Sequence, residues 1–209
     1  MATVYEDALE AYKVYIIGAG PGARLGAAEA ALNDCPVIAG NYGAVAALSA
    51  GIQGGTWLVA DPVVWQFDWA WRTLVALRHD HGWNLGVSAC TNTWVPDLVP
   101  DWTFEQEPAA GLGDGALMDG VLRCGGTVAA QMVQLACQRK YTKIILCGCH
   151  LTGPDYWDGR KVYGELGEWP QKPTFDAFCD SAMQNGLEVV HFDHAIPSSA
   201  ASPADFAGG

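Results

Sequence analysis

The chain reads as an α/β protein: a single Rossmann-like, doubly wound, mainly parallel sheet carrying a lid insertion. Three observations predict this. Short apolar runs alternate with helical stretches along most of the 209 residues, as in βαβ units whose sheet is covered on both faces. Lys13-Val-Tyr-Ile-Ile-Gly18-Ala19-Gly20-Pro21 joins a strand to a glycine turn. Far downstream, Gly125-Gly126-Thr127-Val128 leads through a helical stretch to a second such unit, Lys143-Ile-Ile-Leu-Cys-Gly148-Cys149-His150-Leu151. In an open parallel sheet two such turns bracket one crevice beyond the carboxyl ends of the strands, where ligands bind.

Taken in order, strands are expected near 13–18, 36–39, 57–60, 85–90, 143–148 and 187–192, and helices over 23–32, 43–50, 63–78, 126–138 and 174–185. Turns at Pro36 and at Gly54-Gly55 return the second and third strands to the sheet, which suits right-handed crossovers. Residues 94–124 are rich in Pro, Gly and Asp and read as irregular, with Trp102-Thr-Phe a candidate edge strand. Residues 151–173 form a long insertion, and loops of this length in compact domains are often functional lids. One domain thus spans 1–196, with the lid at about 151–173 and a flexible tail at 197–209.

Composition bounds the function. Half of the chain is apolar and 16% is charged, with nine Trp, so large faces are buried. Eleven basic against 23 acidic residues give a net charge of −12, which argues against a long nucleic acid, whose phosphates are met by Lys and Arg. Seven cysteines, odd in number and without framework spacing, imply a reducing, cytoplasmic setting. The acidic start Met1-Ala-Thr-Val-Tyr-Glu-Asp does not resemble a signal peptide. Residues 35–60 carry no charge, but five glycines divide them into strand, helix and strand rather than a membrane span.

The crevice should collect Gly18 to Gly22, Gly40-Asn41-Tyr42, Asp61-Pro62, Thr91-Asn92-Thr93 and Gly148-Cys149-His150. Strand-end glycines let phosphate approach the backbone, and amides at the next helix start bind it. Gly18-Ala-Gly20-Pro-Gly22 opens like a dinucleotide fingerprint, yet the second strand ends in Gly40-Asn41 rather than the acid that holds a ribose, against NAD. Thr127 either caps its helix or donates to a phosphate. Tyr156 and Tyr163 flank Asp158, Arg160 and Lys161, a set suited to a departing phosphate; the alternative is a solvated hairpin with packed aromatics. Strand alternation places Cys147 and Cys149 on one face, with no further Cys or His pair to complete a zinc site. His150 is the histidine expected to touch substrate. The aromatic run Trp65, Phe67, Trp69 and Trp71 reads as core or as a homo-oligomer contact.

These segments, with Ala39-Gly-Asn41-Tyr, Trp57-Leu-Val-Ala-Asp61-Pro62, Gly126-Thr-Val-Ala-Ala and Leu135-Ala, resemble a Rossmann-like superfamily. It includes bacterial sialyltransferases, flagellin-glycosylation proteins and the archaeal hydroxymethylpterin pyrophosphokinase, and the resemblance covers most of 12–195. It implies that Gly18, Ala19, Gly20 and Pro21 form the donor-phosphate turn, that Asn41 touches the nucleotide, and that Gly126 and Thr127 face the donor. Tyr156 and Tyr163 are similar to a pair of lid tyrosines on the departing phosphate. The chain departs from the sialyltransferases at Ala19, where Asn is usual, and at His150, which replaces an acid. It also has no His between Leu151 and Pro173, where their general base lies.

The resulting expectation is a glycosyltransferase-like enzyme that moves a group from a nucleotide-activated donor, a CMP- or UDP-sugar, to an acceptor hydroxyl. His150 or Asp61 would act as base, and no structural metal is expected. Two alternatives stand beside it: Mg²⁺-dependent pyrophosphoryl transfer to a small pterin-like molecule, with Asp61 on the metal, and a catalytically inactive nucleotide-binding module.

Overall fold

The computed structural model describes residues 13–108, 121–124, 126–151, 156–160 and 170–192. Eight strands form one all-parallel sheet: β1 (Lys13–Ile17), β2 (Val37–Gly40), β3 (Thr56–Val59), β4 (Asn84–Ser88), β5 (Trp102–Pro108), β6 (Val121–Cys124), β7 (Lys143–Cys147) and β8 (Glu188–His191). Their order is β6-β5-β4-β3-β2-β1-β7-β8. The chain therefore starts near the middle, winds out to one edge, and crosses back to lay β7 on the free side of β1.

Right-handed crossovers send helices to opposite faces when the direction of winding reverses. Accordingly α1 (Ala23–Leu32), α2 (Gly43–Ser49) and α3 (Asp68–His81) cover one face, over Tyr15, Ile17, Trp57 and Val87. On the other face α5 (Val128–Gln138) and α6 (Lys172–Gln184) cover Val14, Ile16, Leu58 and Leu146. A short α4 (Ala89–Trp94) links β4 to β5. Trp57 and Phe175 are each 1% exposed, and truncating either to Ala would cost about 3–5 kcal/mol. Among the described residues no helix is long and apolar enough to cross a membrane.

The doubly wound class is thus what the sequence predicts, with four local corrections. Residues 94–124 contain two strands, and β5 is paired on both sides, by β4 and β6, rather than lying at an edge. Its sequence, Trp-Thr-Phe-Glu-Gln-Glu-Pro, lacks the unbroken apolar run of the central strands. The helix expected over 63–78 is broken: Asp61 caps a 3-10 turn at Pro62–Gln66, and α3 begins only after extended Phe67. The strand expected to 90 ends at Ser88, whose Oγ accepts from the N–H of Thr91 (3.1 Å) and starts α4. Cys147 and Cys149 lie on opposite faces, because Gly148 between them has φ +64° and breaks the alternation.

The reversal point is also where the backbone is most crowded. Ile17 pairs with Cys147, and beyond them the two turns touch: the N–H of Gly18 donates to the Cys147 carbonyl (2.8 Å) and that of Gly20 to the Gly148 carbonyl (2.9 Å). A Cβ on Gly148 would stand 2.6 Å from the Gly20 carbonyl oxygen and 2.8 Å from Ala23 Cβ. Gly148→Ala is expected to destabilise the chain by about 2–5 kcal/mol, combining left-handed strain with overpacking. Gly159→Ala, with φ +79° and no atom within 4 Å of the added Cβ, should lose only the strain, about 1–2 kcal/mol. Urea unfolding of both variants checks this, and equal losses would remove the argument from close approach.

Candidate functional site at the switch point

A cavity of about 390 Å³ opens above this junction, at the switch point where open α/β sheets hold ligands. Gly18, Ala19, Gly20 and Pro21 line it from the β1 turn, and Gly148 and His150 from the β7 turn. Asn41 and Asp61 reach it from the ends of β2 and β3, Gly126 and Thr127 from the start of α5, and Tyr156 from the insertion after β7. The expected catalytic and donor-binding residues that lie within the described residues therefore line one cavity, whereas Gly22 and Tyr42, also expected in the crevice, do not. Tyr163 lies outside the described residues, as do Gly125 and Lys161. Thr91, Asn92 and Thr93 do not line the cavity; they belong to α4, where Thr91 is buried with its hydroxyl on the Ala60 carbonyl (3.0 Å), and Cys90 lines the wall instead.

Thr127 is the N-cap of α5. Its Oγ1 accepts from the N–H of Ala129 (3.2 Å), which uses the oxygen as an acceptor and leaves the hydroxyl proton to donate. A helix start of this kind favours an anion. Asn41 has φ +44°, a left-handed conformation that Asn tolerates better than most residues. Its N–H donates to the Leu58 carbonyl (3.2 Å) and its carbonyl accepts from Trp57 Nε1 (3.0 Å). Its side-chain Oδ1 is buried without a partner. Asp61, exposed at the rim, spends Oδ1 on the Val63 N–H (2.9 Å). His150 stacks on His191 of β8, ring centroids 5.3 Å apart.

Cys149 lines the wall as its strand end predicts, and two further wall residues, Gln106 and Gln131, are ones that strand-end reasoning does not find. Cys149 is buried, and burial pushes its thiol up to about 12, so it is no nucleophile near neutral pH. Gln106 reaches in from β5, a strand the sequence left irregular. Gln131 on α5 is 1% exposed, and among the described residues neither its Oε1 nor its Nε2 has a hydrogen-bond partner. An unsatisfied buried amide costs about 1–3 kcal/mol, and its helical periodicity alone marks it only as core. Among the described residues no Lys or Arg lines the cavity, and no group of three or more His, Cys, Asp or Glu is placed to hold a metal.

The described residues 156–160 of the long insertion are held by Tyr42, the residue after Asn41. Its ring stacks on Tyr156 and Trp157 at centroid distances of 5.4 and 5.7 Å, and Trp69 meets it edge-on at 4.9 Å. The Arg160 guanidinium lies 4.0 Å over the same ring, and the Tyr42 hydroxyl donates to Asp158 (3.0 Å), which also pairs with Arg160 (2.6 Å). The N–H of Trp157 then reaches the Ala19 carbonyl (2.9 Å). Trp69, expected in core or at an oligomer contact, packs against the core and also meets Tyr42.

No protein-family model and no curated protein matches the chain.

Burial, and then the hydrogen bond to Asp158, push the Tyr42 hydroxyl up to about 12. The fold holds this proton more tightly than the unfolded chain, whose tyrosines titrate near 10. Its contribution is complete below about pH 10 and is lost as the pH rises toward 12. Tyr42→Phe is therefore expected to lower stability by about 0.5–1.5 kcal/mol near neutral pH. The gap to wild type should close across that alkaline window in denaturant titrations at stepped pH; a constant gap would contradict the assignment.

Proposed function

We propose that the chain is a glycosyltransferase-like enzyme, carrying a group from a nucleotide-activated donor, first of all a CMP- or UDP-sugar, to an acceptor hydroxyl. The observation behind this is the meeting of the Gly18–Pro21 turn, the capped start of α5, His150 and Tyr156 around one cavity at the switch point. Its size, about 390 Å³, is in the range that encloses small ligands. Gly18 and Gly20 spend their N–H groups on the β7 turn and Pro21 has none, so the Ala19 amide and the amides at the start of α5 take the phosphate, with the Thr127 hydroxyl beside them. The bond from the transferred carbon to the donor phosphate oxygen breaks as the acceptor oxygen attacks. His150 takes the acceptor proton, and the Tyr156 phenol donates to the departing phosphate as its charge grows. Asp61 at the rim is the second candidate base.

One observation favours a second reading. With Asp61 the lining carboxylate and no Lys or Arg lining the cavity among the described residues, a triphosphate would need its charge balanced from solution. Mg²⁺ held by one carboxylate and by substrate phosphates meets that need, which is the setting of pyrophosphoryl transfer from ATP.

Thermal unfolding against CMP, UDP, GDP, ADP and ATP, each with and without Mg²⁺, separates the readings. A saturating ligand at a hundred times its dissociation constant adds about 2.7 kcal/mol, roughly 5–10 °C for a chain this size. Glycosyl transfer expects a metal-independent shift with CMP or UDP. His150→Gln should keep that shift while cutting donor turnover by about 10²–10⁴. A shift with ATP only in Mg²⁺ would replace the first reading by the second. A shift without turnover of any donor would indicate an inactive binding module, and no shift at all would sink every nucleotide reading.

A further inference from the structure

Two glutamines one helical turn apart on α5 are equally buried and differently employed. Gln134, 2% exposed, is satisfied on both ends of its amide: Oε1 accepts from the Arg123 N–H (2.8 Å), while Nε2 donates to the Arg123 carbonyl (2.9 Å) and the Ala130 carbonyl (3.2 Å). That amide ties α5 to β6. Gln131, 1% exposed, has no partner on either end among the described residues and lines the cavity. Polar groups this deeply buried are normally paired, and an exception calls for an explanation such as a ligand.

The surroundings say which ligand chemistry fits. Gln131 follows Thr127 by four residues, so the two lie on one face of α5 with their Cα atoms about 6 Å apart along the axis, and a ligand with its phosphate at the α5 start passes the amide of Gln131. Val128 and Met132, on either side of it in the helix, pack on β2 at Gly40: a Cβ there would stand 2.8 Å from a methyl of each. That closeness makes an apolar wall, and it sets α5 beside Asn41, whose Oδ1 is the other buried lining atom without a partner. An apolar slot holding one neutral donor and adjacent acceptors suits a flat heteroaromatic ring with a donor–acceptor edge. It suits neither a phosphate, which asks for positive charge, nor a sugar, whose hydroxyls would meet Val128 and Met132.

We infer that Gln131 reads the base edge of the nucleotide, with Asn41 as the second contact, so that α5 carries both the phosphate end and the base end of one ligand. This rests on the reading of the cavity as a nucleotide site. A primary amide can rotate to match the donor–acceptor order of any of the four bases, so the identity of the base is left to the experiment.

The test compares CMP, UMP, AMP and GMP with ribose 5-phosphate, which keeps the sugar and phosphate but lacks the base, by calorimetric titration of wild type and of Gln131→Met. Methionine keeps the length and apolar fit and removes both polar atoms. Wild type is expected to prefer at least one of the nucleotides over ribose 5-phosphate by tenfold or more. Gln131→Met should lose most of that preference while its affinity for ribose 5-phosphate stays within about twofold. Because the substitution removes an unsatisfied buried amide, its ligand-free melting temperature should be unchanged or higher, a result that a merely structural glutamine would not give. Nucleotide preference retained in Gln131→Met would overturn the inference and leave the nucleotide reading in place. So would wild type binding ribose 5-phosphate as tightly as every nucleotide, a result that needs no variant to fold. Wild type binding none of the five would overturn the inference and the nucleotide reading together.

Discussion

The architecture turns on two backbone turns that touch. Where β1 and β7 end side by side, the amides of Gly18 and Gly20 reach the carbonyls of Cys147 and Gly148, and there is no room for a side chain on the facing carbons. That contact closes the floor of the switch point. It also directs the chain beyond β7: the left-handed Gly148 turns the backbone so that Cys147 stays under α1, Cys149 goes to the opposite face, and His150 arrives at the cavity. Without this close approach the sheet would still pair, but the groups above it would have no common origin.

Above that floor the described residues that line the cavity offer backbone dipoles, hydroxyls and neutral amides, and no Lys or Arg. Arg160, four residues beyond the lining Tyr156, is spent on Asp158 and on the face of Tyr42. Asn41 and Tyr42 are consecutive, and they do different things: the first lines the cavity with a buried amide oxygen and the second holds Tyr156 and Asp158. A displacement of the β2 end is therefore passed to both. The short lever between them is stiffened by the left-handed backbone at Asn41 and by the Trp57 indole bonded to its carbonyl.

Much of this was legible in the residues. Central strands announce themselves as unbroken apolar runs because both faces are covered, and the glycine turns mark strand ends, so the β1, β2, β3 and β7 ends and the start of α5 could be placed around one crevice. What escaped has physical reasons. β5 presents Glu105, Gln106 and Glu107 and so does not look like a sheet interior. The Cys147–Cys149 alternation fails because one glycine resets the backbone. Gln131 and Gln134 read alike on a helical face, and only their partners tell them apart. Tyr156 could be found as an aromatic in a long loop, but its stacking partner Tyr42 is 114 residues away in the chain and reachable only through the fold.

The pairing of β1 with β7 also governs how the molecule is made. Tyr15 sits beside Ile145 in the finished sheet, so one side of the first strand has no neighbour until the second emerges. At ordinary translation speeds that interval is roughly 6–25 s, long compared with the microseconds in which strands associate. During it the nascent chain carries an open, strongly apolar strand border of the kind that attracts stray strands. Closure of this border waits on the segment Lys143–Cys147, which supplies β7.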